Sequence, residues 1–128
     1  MAIEEYFSQV KKTIDKYSAA SFVVSTNVNF DTRPGNQGFV TGTVQFADGS
    51  KLHFREYLDE TNGTVEKIMY VYHYQDSSDQ LILRYDNATH RPKIGLVEHK
   101  HSAAGVTTAK SPGLEDVLIE IASLRHWA

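Results

Sequence analysis

The sequence predicts an α+β protein: an N-terminal helix, a five-stranded antiparallel meander, a long polar loop and a C-terminal helix. Three observations carry this. Ile3, Phe7, Val10, Ile14 and Tyr17 recur at alternating spacings of four and three, the period of one helix face. Between residues 21 and 86, runs rich in Val, Thr, Tyr and Phe are broken by Pro34-Gly35, Asp48-Gly49 and Asn62-Gly63. Beyond Ser111, the helical period returns in Leu114, Val117, Leu118, Ile121 and Leu124.

Taken in order, the first helix is expected over 3–17 and a first strand over 21–30, ended by Asp31-Thr32-Arg33-Pro34-Gly35. Strands over 37–47 and 51–58 form a hairpin at Asp48-Gly49, where Gly accepts positive φ without a Cβ clash. Thr61-Asn62-Gly63-Thr64 makes the next turn, and strands over 67–75 and 80–86 flank Asp76-Ser77-Ser78-Asp79. Residues 87–110 show no clear period and read as a long polar loop, with room for a short strand at Val106-Thr107-Thr108. In the last helix Ser111 is expected to cap and Pro112 to take the first helical position. Glu115 and Asp116 then complement the positive end of the dipole.

At 128 residues, with 41% hydrophobic and 23% charged, the chain fits one globular domain over 1–128. The net charge of -3 gives no global attraction for nucleic acid, so such a partner needs a local patch. One lies between Arg84 and Lys110, where Arg84, Arg91, Lys93, Lys100 and Lys110 face only Asp86 and Glu98. The absence of cysteine excludes disulfides, thiolate chemistry and Cys-based zinc sites. Met1-Ala2-Ile3-Glu4-Glu5-Tyr6 does not read as a signal peptide, and no apolar run approaches membrane-spanning length. A cytoplasmic protein with no membrane partner is the expectation.

Four of the six histidines, His73, His90, His99 and His101, fall between residues 72 and 101, with Arg84, Asp86 and Lys100 among them. Imidazole beside guanidinium is what a site needs to bind a phosphate and move protons near neutral pH. If the 76–79 turn closes symmetrically, Gln75 pairs with Gln80, His73 with Ile82, Val71 with Arg84 and Met69 with Asp86. Strand alternation then puts Gln75, His73, Arg84 and Asp86 on one face. Tyr70, Tyr72, Tyr74, Leu81, Leu83 and Tyr85 take the other, which reads as the core face. His90, His99 and His101 belong to the loop.

Three functions fit these residues. A metal-independent ribonuclease, cleaving by attack of the 2′-hydroxyl, needs a base, an acid and a cation at the phosphate. His73 or His90 could be the base, a second histidine such as His101 the acid, Arg84 the clamp and Asp86 the group that orients an imidazole. Tyr72 or Tyr74, if exposed, could stack a base, with Asn87, His99 and Lys100 as further RNA contacts. A metal site could draw on His73, His90, His99, His101, Asp86 and Asp79. It ranks lower: no His pair stands at helical i, i+4 spacing, and His99 and His101 are expected to point to opposite sides of an extended segment. No metal or cofactor is therefore expected. The third reading is a non-catalytic interaction module presenting tyrosines. His53 and Arg55 read as plain sheet surface and His126 as a helix end.

Tyr72-His73-Tyr74-Gln75, then Arg84-Tyr85-Asp86-Asn87-Ala88 with His90, then His99-Lys100-His101, resemble the TumE family of type II toxin–antitoxin toxins. Leu114-Glu115-Asp116-Val117-Leu118 is similar to that family's acidic-start helix, so the likeness runs from about Phe46 onward. Thr89 and Val97-Glu98 depart from the family pattern, standing where Pro is expected before the histidines. The resemblance implies a growth-inhibiting toxin with a cognate helix-turn-helix-type antitoxin. Its outline is also that of RelE-like ribonuclease toxins. RNA is the expected substrate, and a homodimer is left open.

Overall fold

A computed structural model describes residues 1–87, 98–103, 105–108 and 111–127. Helix α1 (Ile3–Ser18) leads into strands β1 (Val23–Arg33), β2 (Gln37–Phe46), β3 (Lys51–Thr61), β4 (Thr64–Gln75) and β5 (Leu81–Asp86). Strands β6 (His99–Ser102) and β7 (Gly105–Thr108) follow, then helix α2 (Leu114–Leu124). The described strands form one antiparallel sheet in the order β1-β2-β3-β4-β5-β6-β7, so each strand pairs with its neighbour in sequence. The α+β meander between two helices is as expected. The short strand allowed for at Val106-Thr107-Thr108 is present as β7, and the sheet gains β6 where a loop was expected, because β6 and β7 extend the meander as a further hairpin. Asn62 and Gly63 both take positive φ, 52° and 77°, and close the β3–β4 hairpin. The α2 cap is Gly113 rather than Ser111: the Gly113 N–H donates to the Asp116 carboxylate at 2.8 Å.

Both helices contribute to a core on one face of the sheet. Ile3, Val10 and Ile14 of α1 and Leu114, Val117, Leu118 and Ile121 of α2 join the even-numbered side chains of β2, β3 and β4. Gly38 lets α1 approach β2, since a Cβ there would lie 2.9 Å from both Ile3 and Phe7. Tyr70, Tyr72 and Tyr74 are core residues, as strand parity predicts.

Two bulges break this parity. Between Tyr57↔Met69 and Leu58↔Lys67, β4 carries Ile68 as an extra residue, which turns Lys67 toward the core side. Between Tyr74↔Leu83 and Gln75↔Leu81, β5 carries Ile82. Leu81 thereby leaves the core face and is exposed, contrary to the symmetrical-turn expectation. The same hairpin pairs His73 with Arg84 and Val71 with Asp86, two residues from the expected register. The offset has two sources: the Asp76 carboxylate accepts from the N–H groups of Ser78 and Gln80 and lengthens the turn by one residue, and the Ile82 bulge adds the second. A two-residue offset preserves faces, so His73, Arg84 and Asp86 still share one.

The core holds one carboxylate, Glu56, with no exposed surface. It accepts hydrogen bonds from Tyr6 of α1 and Tyr72 of β4. Burial first, then the Glu56 charge, holds both phenols well above their ordinary pKa, so both stay protonated donors. Lys67 donates to the Tyr72 hydroxyl at 3.0 Å and to the Pro112 carbonyl, tying the approach to α2 into the same network. Glu56→Leu strands two buried hydroxyls and is expected to cost about 2–4 kcal/mol in urea denaturation. Tyr6→Phe, which removes one donor, should cost only about 1 kcal/mol.

Candidate active site on the open sheet face

Odd-numbered residues of β1 from Ser25, of β2, of β3 and of β4 from Met69 project from the face opposite the helix-packed core, and cross-strand pairing aligns them in rows. One row runs Asn27, Thr43, His53, His73, Arg84, His101, each directly opposite the next. The neighbouring row runs Asn29, Thr41, Arg55, Val71, Asp86, His99. Strands about 4.8 Å apart make each row roughly 24 Å long. Side chains from β1 to β5 line a groove of about 590 Å³ on this face, with Arg84 and His73 at one end and Asn27 and Asn29 at the other.

Asp86 organises the β5–β6 end. It is 2% exposed and His99 is 1% exposed. His99 Nε2 lies 2.7 Å from Asp86 Oδ1, while Arg84 Nε donates to Oδ2 at 2.8 Å. His101 Nε2 approaches Oδ2 at 3.5 Å, and the two imidazoles pack edge to face with centroids 4.9 Å apart. Separated by two residues on β6, His99 and His101 share a face, which corrects the expectation that they diverge. Nor do they need a loop to fold over the sheet, because they are part of it.

His73 accepts from Arg84 Nη1 at its Nδ1, 3.1 Å away. Its pKa is lowered from 6.5, first by burial, then by the Arg84 charge, partly offset by a hydrogen bond with Gln75, with His53 opposite it adding the least. The ring is therefore neutral near pH 7.

Other expected site residues lie elsewhere. Tyr72 is 1% exposed and Tyr74 has no exposed surface, so neither can stack a base. Tyr74 instead donates to Ser50 Oγ at 2.7 Å and accepts from Arg125 Nε at 2.8 Å. Lys100 faces α2, where it meets Glu120 at 2.8 Å and lies over the Tyr85 ring. Asn87 staples β5 to β4 through the Tyr70 N–H and the Ile68 carbonyl. His90 falls outside the described residues, as do Arg91, Lys93 and Lys110 of the basic patch. The residues that sequence reasoning missed are Asn27, Asn29, Thr41, Thr43, His53 and Arg55, which line the groove. Carrying strand parity through the Asp48-Gly49 hairpin as well would have placed them beside His73.

Among the described residues, Asp86, His99 and His101 are the group that could hold a metal, their ligand atoms lying within 4.8 Å of one another. Arg84 already balances the carboxylate, and a second cation there would face guanidinium repulsion. An anion meets the opposite situation beside Arg84.

The open face of the sheet thus carries a carboxylate-anchored cluster of imidazole and guanidinium groups. The chain belongs to the TumE family, described as Toxin TumE, which it matches over residues 10–125. Membership in a toxin family implies an antitoxin partner. No curated protein and no solved structure matches the chain. Among the described residues, no helix is long and apolar enough to cross a membrane.

Removing the Asp86 carboxylate leaves Arg84 and His99 without its hydrogen bonds. Asp86→Ala is expected to cost about 3–5 kcal/mol in chemical denaturation, and Asp86→Asn, which keeps one acceptor oxygen, clearly less.

Proposed function

We propose that the protein is a growth-inhibiting toxin that cleaves RNA in the cytoplasm without a metal, and that a helix-turn-helix-type antitoxin silences it. The supporting observation is the placing of Arg84 between His73 and His101, each directly opposite it across a strand pair. A phosphate held by Arg84 then has an imidazole on either side. Asp86, through its contacts with Arg84, His99 and His101, fixes the cluster.

In this mechanism Arg84 turns its guanidinium from His73 to the phosphate, which frees His73 Nδ1. Neutral His73 takes the proton of the 2′-hydroxyl as the 2′-oxygen attacks phosphorus. The bond from phosphorus to the 5′-oxygen breaks, and His101 supplies the proton to that leaving oxygen. The products are a 2′,3′-cyclic phosphate and a 5′-hydroxyl. Arg84 stabilises the charge that gathers on the non-bridging oxygens. His99, being buried, positions Asp86 and does not touch RNA.

The Asp86, His99 and His101 grouping favours a second reading, a metal-bound site. Purified protein assayed on single-stranded RNA with and without chelator separates the two. Cleavage should persist with chelator and fall at least about a hundredfold in His73→Ala and Arg84→Ala. Equal cleavage by the wild type and these variants overturns the assignment, and loss with chelator shifts it to the metal reading.

The lowered pKa of His73 gives a second check. A proton NMR titration should place its midpoint below 6.5. Because burial and the Arg84 cation both disfavour the imidazolium, Arg84→Ala should move that midpoint upward. The acid limb of the wild-type pH–rate profile should follow the wild-type midpoint.

A further inference from the structure

The open face extends beyond the Asp86 cluster, and its chemistry changes stepwise along β3. Tyr57, Arg55 and His53 are alternate residues of that strand and share its groove side. Tyr57 stands edge-on to Phe39, with ring centroids 6.0 Å apart, and its hydroxyl donates to Gln37 at 2.8 Å. Both rings are half-buried. Arg55 is exposed, and among the described arginines it alone lacks an ion pair: Arg33, Arg84 and Arg125 each face an aspartate. His53 directly opposes His73.

We propose that this line of side chains is the track that carries single-stranded RNA to the scissile phosphate. Phe39 and Tyr57 take a base, Arg55 takes a phosphate, and His53 leads the strand to Arg84. The proposal rests on the ribonuclease reading for the position of the scissile phosphate, and on nothing else from it. Alternate residues on a strand are about 6.7 Å apart, close to the stride of an extended sugar–phosphate backbone, so each side chain meets successive units of the chain. A guanidinium with no carboxylate to satisfy it is a ready phosphate ligand. An aromatic pair at the far end suits an unpaired base, which a duplex does not offer. Thr41 and Thr43 border the same stretch with hydroxyls able to bond ribose or base edges. The attraction is local: the chain as a whole carries -3, and Arg84 balances Asp86 on this face.

The test measures binding and cleavage side by side on the full chain. Binding is read by fluorescence anisotropy with a labelled, short, mixed-sequence single-stranded RNA whose riboses are 2′-O-methylated and so resist cleavage. Cleavage is read on the unmodified RNA. Arg55→Gln should weaken binding about tenfold and lower the salt slope by about one. Tyr57→Leu should weaken it at least about fivefold, whereas Tyr57→Phe should bind like the wild type. Lys12→Gln, the same loss of charge on the exposed side of α1, should bind unchanged. Thermal melts identify any variant that fails to fold, and Arg55, being exposed, keeps the test decisive if Tyr57→Leu does not. Wild-type affinity in both Arg55→Gln and Tyr57→Leu, or no binding by the wild type, overturns the track even where RNA is cut. Binding that depends on Arg55 and Tyr57 in a protein that cuts nothing keeps the track and removes the ribonuclease reading.

Discussion

The structure depends on one constraint: every strand is hydrogen-bonded to its neighbour in sequence, and both helices contribute to the core on the same face. Because the described strands follow one another without a crossover, the parity of a residue along its strand settles its surroundings. Even positions of β2, β3 and β4 supply the core, and odd positions supply a solvent-facing surface with cross-strand rows of polar groups. That surface is free of the packing demands that govern the other. It can hold Asn, Thr, His and Arg in fixed register because its backbone is held from behind. The bulges at Ile68 and Ile82 are the local exceptions, and the first of them turns Lys67 into the Glu56 network.

Two buried carboxylates serve opposite ends of this design. Glu56, on the core side, is surrounded by phenols and joins α1 to the sheet. Asp86, on the open side, is surrounded by cationic and imidazole groups and joins β5 to β6. Each meets the high cost of an ionised group away from water by gathering several donors. The difference lies in what those donors can do. Phenols held well above their ordinary pKa stay protonated donors at neutral pH, whereas Asp86 gathers imidazole and guanidinium groups on the open face.

The fold was legible in the sequence wherever period and turn chemistry agreed. The two helices, the Asn62-Gly63 turn and the faces of His73, Arg84, Tyr72 and Tyr74 all follow from local rules. Register was less legible, because the Asp76 side chain lengthens a turn that composition alone leaves undetermined. Strand β6 was hidden for another reason. His99-Lys100-His101 carries no β-branched residue, and its strand form comes from pairing with β5 and from the pull of Asp86 on His99. Lys100 was misplaced along with it, since it faces Glu120 only once β6 exists. The groove residues Asn27, Thr43, His53 and Arg55 carry no local motif, and only the pairing of three strands brings them together.

The meander also fixes the order in which the molecule can be completed. Hairpins of sequence neighbours close through local contacts, which form early and fast, and a chain leaving the ribosome presents its N-terminal hairpins first. Asp86 then waits for His99 and His101, and the core waits for α2, which emerges later still. The groove face of β1 to β4 can therefore stand in register before the Asp86 cluster is complete, because the last members of that cluster, His99 and His101, arrive with β6.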